Sequence, residues 1–436
     1  MNEILPEDVV IQILVCLPVI SLMRFKCICK SWNGLITHQN FITKHLLHKK
    51  KKKKNCEDFL VHRLERTGED FLVSLLSYET LQQVSKTKPL PPPYPGIERY
   101  NREKYENAAS MVSQNILPYS TLEEWIVMPL RMKKEAIPSM DFVIREYIGQ
   151  LHVRLVGSVN GLVCLHDTHW HHILIWNPAT GETKVLPGNR LDYIPIDYCF
   201  GSTDVGFGFD AKTNDYKVII VATTIHEVHH PYLQLPLTSW CQGEVYSLNS
   251  NSWRRIDGIR AEIHNHTDCR TYTNGMFSWY GTCDKGYCLW SFDISNEVFL
   301  STPLPDATHL DEKCGRASFV FNELVALAIY YADTVLGSET RFDIWLLHEF
   351  GVEESWTKLI TIGPLTQINR PLGFWKNEYS LFLENTDGQL VLYEFSTQEM
   401  TDLHIDGIPS SLQMLTYMES LVSVRGGNEL QEQESS

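Results

Sequence analysis

A chain of 436 residues that is 43% hydrophobic and 11% aromatic can bury a large core, with room for a small domain beside a large one. Its net charge of −15 is unevenly placed: residues 1–54 carry ten Lys/Arg and three Asp/Glu (+7), leaving 28 basic against 50 acidic residues (−22) in the remainder. That acidic remainder offers no phosphate-neutralising surface, which argues against a nucleic-acid binder. No apolar run approaches the ~20 residues of a membrane-spanning helix, so no membrane role is expected. Eleven cysteines, an odd number without paired spacing, read as reduced thiols of an intracellular protein.

The N-terminal stretch does not read as a secretory signal, because Glu3, Glu7 and Asp8 stand where positive charge is needed and Pro18 interrupts the apolar run Ile13 to Met23. Residues 4–48 read as helical instead. Pro6 followed by Glu7 and Asp8 suits a helix start, since proline fits the first turn and carboxylates fit the positive dipole end. Val9, Ile13 and Leu17 form one i, i+4 row and Val10 and Leu14 another, with Ile11 and Val15 beside them. A helix apolar on nearly every side must be covered on nearly every side, and about 45 residues cannot do that alone. This head needs a partner. Lys49 to Lys54 fall in an expected solvated linker over 49–57, with a nuclear signal or a phosphate contact as the alternative readings.

Beyond the lysines the period changes from helical to alternating. A hairpin with a central aromatic recurs as LIWNPATGETKVLP, VYSLNSNSWRRI, LWSFDISNEVFLSTP, IWLLHEFGVEESWTKL and LYEFSTQEMTDL. Its aromatics Trp176, Tyr246, Phe292, Trp345 and Tyr393 lie 70, 46, 53 and 48 residues apart. Several hairpins follow a strand opened by a turn, at Asn160-Gly161, Asn274-Gly275 and Asn322-Glu323. Four-stranded units repeating every 40–50 residues or so predict a mainly β chain with a β-propeller over 58–424. An irregular sandwich is the alternative. A weaker hairpin at 72–84, after a strand at Phe59–His62, brings the expected number of blades to six, with seven the alternative. The lone strand 414–424 is expected to close the ring by completing the first blade. Residues 86–140 do not fit the repeat: PLPPPYPG breaks it, and the charged stretch behind reads as a long loop with a short helix at Thr121–Trp125. Residues 425–436 read as a disordered tail.

HEVHH at 226–230 has the letters of a zinc protease motif, with His226 and His230 as ligands and Glu227 as base. That chemistry needs a helix to bring i and i+4 to one face. Here the motif follows the strand KVIIVATT and precedes Pro231, so it reads as an inter-strand loop and the match as accidental. HDTHWHH at 166–172 holds the equivalent position in an earlier repeat. No nucleophile elbow or P-loop occurs, Cys27/Cys29 and Cys283/Cys288 lack the partners of a zinc site, and NPATG is a turn. No catalytic residue, metal or cofactor is expected.

LPEDVVIQILVCLPVISLMRFKCICKSWNGLI, residues 5–36, resembles an F-box, on Leu5-Pro6, Leu17-Pro18, Ser21-Leu22, Arg24-Phe25 and Cys29-Lys30-Ser31-Trp32. It departs at Ile20, where that motif often has lysine. VGFGFDAKTNDYKVI, WNPATGETKVLP, HEFGVEESW and the terminal YMESLVSV are similar to the plant F-box-associated domain, which is kelch-like. Within that group the chain resembles S-locus F-box and S-locus F-box-like proteins, apart from the 86–140 insertion and the lysine run.

The resemblance implies the substrate receptor of an SCF-type ubiquitin ligase, in cytoplasm and also nucleus, with self-incompatibility and an S-RNase target as one pathway. The head at 1–48 would bind a Skp-type adaptor, and through it cullin and RING subunits. Leu5, Pro6, Val9, Ile13, Leu14, Leu17, Pro18, Leu22, Phe25, Lys30 and Trp32 would carry that contact. The competing reading is a propeller that binds a protein or glycan without ubiquitin. The propeller would hold a protein target, and its −22 charge favours a basic one. The longest excursion inside a repeat, residues 225–242, offers Tyr232, Leu235 and Trp240 as contacts.

Overall fold

Four helices open the chain: α1 (Glu7–Val15), α2 (Val19–Phe25), α3 (Lys30–Thr37) and α4 (Gln39–Lys52). Pro6 and Pro18 stand immediately before α1 and α2, where a missing N–H costs nothing. In the computed structural model the described residues are 6–52, 58–64, 71–83, 88–89, 153–167, 172–189, 198–226, 239–256, 259, 262–263, 270–305, 314–331, 339–375 and 380–425. The expected linker starts later than position 49, because Lys49 to Lys52 form the last turn of α4. Lysine is a good helix former and its charge suits the C-terminal dipole end. Residues 53–57 lie outside the described set.

Six sheets follow, built antiparallel throughout, and they form the six blades of a β-propeller. The innermost strands are Gln413–Tyr417 in blade I, Val153–Val159 in II, Tyr198–Asp210 in III, Arg270–Thr273 in IV, Cys314–Phe321 in V and Ile368–Trp375 in VI. The outermost are Lys88–Pro89, Thr183–Val185, Ser252–Ile256, Val298–Pro303, Trp356–Leu365 and Met400–Asp406 in the same order. Each of the five recurring aromatics falls on the third strand of its blade, from Trp176 in blade II to Tyr393 in blade VI. The predicted turns reverse the chain between first and second strands with positive φ at both central residues, +53° and +83° at Asn160-Gly161 and +51° and +77° at Asn274-Gly275. That is the two-residue hairpin geometry for which Asn-Gly is favoured.

Blade I is composite. Gln413–Tyr417 pairs with Asp58–Leu64, from Asp58 opposite Tyr417 to His62 opposite Gln413, so the end of the chain closes the ring as expected. The closing strand stops at Tyr417, short of the expected Val424. The hairpin expected at 72–84 also differs: its second arm is reduced to a bridge between Leu76 and Gln83, and Lys88–Pro89 is the fourth strand. An outer edge tolerates proline because its free side needs no donor. The rest of the 86–140 segment, with its expected helix at Thr121–Trp125, lies outside the described residues.

The core lies between blades, and the recurring motifs turn out to be contacts across those seams. Gly206 and Gly208 in VGFGF let blade III approach blade IV: a Cβ would come 2.6 Å from the Phe277 ring and 2.3 Å from the Tyr272 ring. Asp210, in the same motif, accepts from Lys217 Nζ at 2.7 Å, Thr213 Oγ1 at 2.7 Å and Ser295 Oγ of blade IV at 2.6 Å. Burial would raise the pKa of Asp210, but these donors and the Lys212 N–H overcome it and hold the carboxyl well below its usual range. Tryptophans at the outer strands bridge to the preceding blade. Trp253 Nε1 donates to the Pro187 carbonyl at 2.7 Å and Trp356 Nε1 to the Pro303 carbonyl at 2.9 Å. The pairing of a tryptophan in one repeat with a Leu-Pro or Thr-Pro ending in the previous one is therefore a staple.

Candidate functional site

The helical head has its own core. Leu14, Val15, Val19, Leu22, Ile36, Phe41 and Ile42 are buried together, and Leu421 from the far end of the chain completes the cluster. Phe25 and Trp32 pack edge to face, 5.2 Å between centroids, at its margin. His45 is fully buried, its Nε2 3.0 Å from the Leu17 carbonyl, and burial lowers its pKa. On the outside the head leaves large apolar side chains in water: Val9 at 38% exposed, Ile13 at 52%, Ile20 at 59%, Ile28 at 61% and Leu47 at 52%. Five such residues among 47 are many for so small a fold, and Val9 and Ile13 stand one turn apart on α1, so they share a face.

The predicted adaptor residues divide by burial. Val9 and Ile13, with Pro6, Pro18 and Lys30, are exposed and available to a partner. Leu17, Phe25 and Trp32 are half-buried against the head core. Leu14 and Leu22 are buried at 2% and 0%, so they hold the helices together and do not form the surface. A one-faced reading of the i, i+4 rows could not separate these sets, because which row turns inward depends on how α2 to α4 cross α1. Leu5 lies outside the described residues. Ile20, Ile28 and Leu47 are exposed as well and lie outside the predicted set; of these Ile20 is the apolar departure from the motif's usual lysine.

A joint fastens the head to the ring, and two sequence motifs meet in it. Asn177 of NPATG turns its Oδ1 to the Ala179 and Thr180 amides and donates from Nδ2 to the carbonyls of Ser420 at 3.1 Å and Val422 at 2.8 Å. Ser420 Oγ donates to the Asn160 carbonyl at 2.6 Å. This capture draws the chain out of the sheet after Tyr417, which is why the closing strand is short. Glu419 then reaches the head, accepting from Lys49 Nζ at 2.6 Å and the Val19 amide at 3.4 Å. Ala179 and Val422 pack on the helical cluster beside Leu421. Lys26 lies by the same turn: burial lowers its pKa, and the charge of Glu182 works against the shift.

The expected target loop is shorter than the 225–242 stretch. Strand pairing continues to His226 on one side and resumes at Ser239 on the other, with Trp240 opposite Thr224. Trp240 is therefore a strand residue, while Tyr232 and Leu235 lie outside the described residues. His226 ends a strand, not a helix, so the i, i+4 convergence needed for a zinc site is not built at that end of HEVHH. His166 is likewise a buried strand residue. Among the described residues no three His, Cys, Asp or Glu side chains are placed to hold a metal, and no helix is long and apolar enough to cross a membrane. A cleft of about 480 Å³ opens between blades VI and I, lined by Leu76, Leu81, Trp375, Leu392 and His404 among others.

A four-helix head with large apolar side chains left exposed, joined to a six-bladed ring, fits the architecture of an F-box protein. The F-box domain model matches residues 3–44 and the model of the F-box associated β-propeller domain matches residues 121–424, and the chain belongs to that family. An F-box/kelch-repeat protein of Arabidopsis thaliana is 26% identical over 422 residues, covering 96% of this chain and 95% of its own length. The F-box protein CPR1 of the same plant is 25% identical, over 61% of this chain and 67% of its own. Among solved structures, TolB from Acinetobacter baumannii aligns over 86% of this chain and 72% of its own with 8% identity and a TM-score of 0.39, a likeness too loose to bear on function.

Proposed function

We propose that this chain is the substrate-receptor subunit of an SCF-type cullin–RING ubiquitin ligase. The F-box docks on a Skp-type adaptor and the propeller holds the protein to be ubiquitinated; transfer chemistry belongs to other subunits. The observation that carries this reading is the exposure of five large apolar side chains, Val9, Ile13, Ile20, Ile28 and Leu47, on a head whose core is already closed. Each of these side chains keeps about 38–61% of its surface in water, so covering them supplies an apolar driving force for docking, from which the cost of association is then subtracted. The test is co-purification of the full chain with a Skp-type adaptor, alongside an Ile13→Asp, Ile20→Asp variant. Wild type should retain the adaptor and the variant lose it. Equal retention would remove this face, and no retention by either would favour a propeller acting without ubiquitin.

For the target the proposal is a basic protein, of which an S-RNase of the self-incompatibility system is one instance. The −22 charge of residues 55–436 supports it by steering basic partners. Tyr232, Leu235 and Trp240 remain the proposed contacts, and residues 227–238 can be replaced without touching the paired strands. Exchange of that segment for a Gly/Ser linker should reduce target capture from tissue treated with a proteasome inhibitor, while adaptor binding holds. Unchanged capture would place recognition elsewhere. We further propose a cytoplasmic and nuclear location, checked by imaging a fluorescent fusion.

A further inference from the structure

Arginines recur on the innermost strands, and three of them use the same edge of the guanidinium differently. In blade IV, Arg270 turns Nε and Nη2 to one carboxylate oxygen of Asp204. In blade VI, Arg370 donates from Nε to Glu384 at 2.6 Å and from Nη2 to the carbonyls of Ser410 and Leu412. In blade V, Arg316 donates only from Nη1, to the Cys314 carbonyl at 3.2 Å. Its Nε and Nη2 have no hydrogen-bond partner, and no ion pair neutralises it among the described residues. Arg316 is 7% exposed. Arginine stays protonated in proteins, so a full charge is held out of water with the Nε–Nη2 edge of its fork empty.

The surroundings are polar and compact. The guanidinium carbon lies 4.8 Å from the ring centres of both Tyr280 and Tyr287 of blade IV, so Arg316 points across the seam between blades IV and V. Ser318, two residues along, shares that face, is 8% exposed and has no hydrogen-bond partner for its hydroxyl. On the facing strand Thr273 Oγ1 donates to the Glu323 carbonyl of blade V, which fixes the side that looks into the seam. Thr271 shares that side, is 5% exposed, and its hydroxyl is also without a partner. The tyrosine faces offset part of the charge but accept nothing in the plane of the fork.

We propose that the seam between blades IV and V binds a small diffusible oxyanion, a phosphate or a carboxylate, on the Nε–Nη2 edge of Arg316, with Ser318 and Thr271 as further donors. Two oxygens in one plane match that edge, and the same edge of Arg270 next door already holds a carboxylate, through one oxygen of Asp204. Burial of all three side chains excludes a macromolecular ligand. The anion gives Arg316 the charged partner that Asp204 gives Arg270 and Glu384 gives Arg370, and propeller stability becomes dependent on its concentration.

The test uses the full chain in HEPES buffer at an ionic strength held constant with chloride, which lacks the paired oxygens. Inorganic phosphate is titrated in one arm and formate in the other, and the melting temperature is followed. A saturable rise of about 4 °C is expected at roughly 100 times the dissociation constant, and the arm with the lower midpoint identifies the class. Arg316→Met should abolish the saturable rise in both arms. No saturable rise in wild type, or the same rise in Arg316→Met, overturns the site. Should Arg316→Met fail to fold, Thr271→Val decides: a midpoint shifted several-fold upward supports the site, and an unchanged midpoint overturns it.

Discussion

The head and the ring solve the problem of apolar surface in opposite ways. In the ring each blade covers its neighbour, and the large apolar side chains left exposed among the described residues are spread over four blades: Val185, Val298 with Leu300, Leu359 and Met400 on outermost strands, and Val320 on an innermost one. The head exposes five within 47 residues, against six in the whole described ring, and still borrows Leu421 from residues far along the chain to close its core. A closed ring needs nothing more to be stable. The head is covered by the joint on one side and left open on the other, so its stability and its docking surface are separable. The comparison breaks first at the joint, because residues 413–424 serve both halves.

Deleting residues 413–436 should have the largest effect. It removes the innermost strand of blade I, the Asn177 contacts and Leu421 together. Each buried side chain lost costs about 2–5 kcal/mol, so the sum exceeds a typical total stability of about 5–15 kcal/mol. Size-exclusion chromatography should show aggregate and no monomer. A monomer with an unchanged melting curve would mean the ring does not depend on closure by its C-terminal strand.

Within the head, Leu421→Ala and Ile13→Asp should separate the two sides. Leu421 is 4% exposed, and its truncation should cost about 2–4 kcal/mol in chemical denaturation, felt at the joint. Ile13, at 52% exposed, should tolerate Asp with little change in stability, yet adaptor affinity should fall about 100-fold, equivalent to about 2.8 kcal/mol. Calorimetric titration with the adaptor measures the second. A destabilised Ile13→Asp protein would show that this face belongs to the core after all.

How much of this was legible depended on the range of the interaction. The helices, the hairpins and the ring closure follow from local period and turn chemistry, so Pro6, Asn160-Gly161 and the aromatic of each third strand could be read directly. The inward-facing row of α1 could not, because burial of Leu14 but not Ile13 is decided by helices packed from elsewhere. The joint was illegible for a related reason. NPATG and YMESLVSV carry no local sign that Asn177 will hold the Ser420 and Val422 carbonyls across more than 240 positions. Arg270 and Asp204 are in the same class, 66 positions apart and joined only by the ring.

Acid should weaken head and ring alike, each through a buried histidine whose pKa burial lowers, His45 and His62. His62, in the strand that the chain end pairs with, is fully buried, and burial, reinforced by the charge of Arg63, pushes its pKa down to about 3. Unfolded, the same histidine titrates near 6.5, so below that pH the unfolded chain takes up a proton that the folded ring refuses. Stability is therefore full above about pH 6.5 and falls toward pH 3, by up to about 1.4 kcal/mol per pH unit. His62→Gln should flatten the loss between pH 6.5 and 5 in urea denaturation. A variant with the wild-type slope would show that other groups set the acid sensitivity.

The smallest expected effect is the ion pair that ties the head to the joint. Lys49 and Glu419 meet at 2.6 Å with their side chains 14% and 30% exposed, so water and salt screen the pair in part and its worth is about 0.5–1 kcal/mol. Glu419→Gln keeps an oxygen for the Val19 amide and removes only the charge, whereas Lys49→Met removes the partner. The two substitutions and their combination form a cycle whose coupling term isolates the pair from the buried contacts of Leu421. The coupling should be measurable at low ionic strength and shrink toward zero by 1 M salt, while the cost of Leu421→Ala stays constant. If the coupling persists in high salt, the pair is drier than its exposure indicates. If it is absent at low salt, the head is held to the ring by packing alone and Lys49 is free to serve the adaptor.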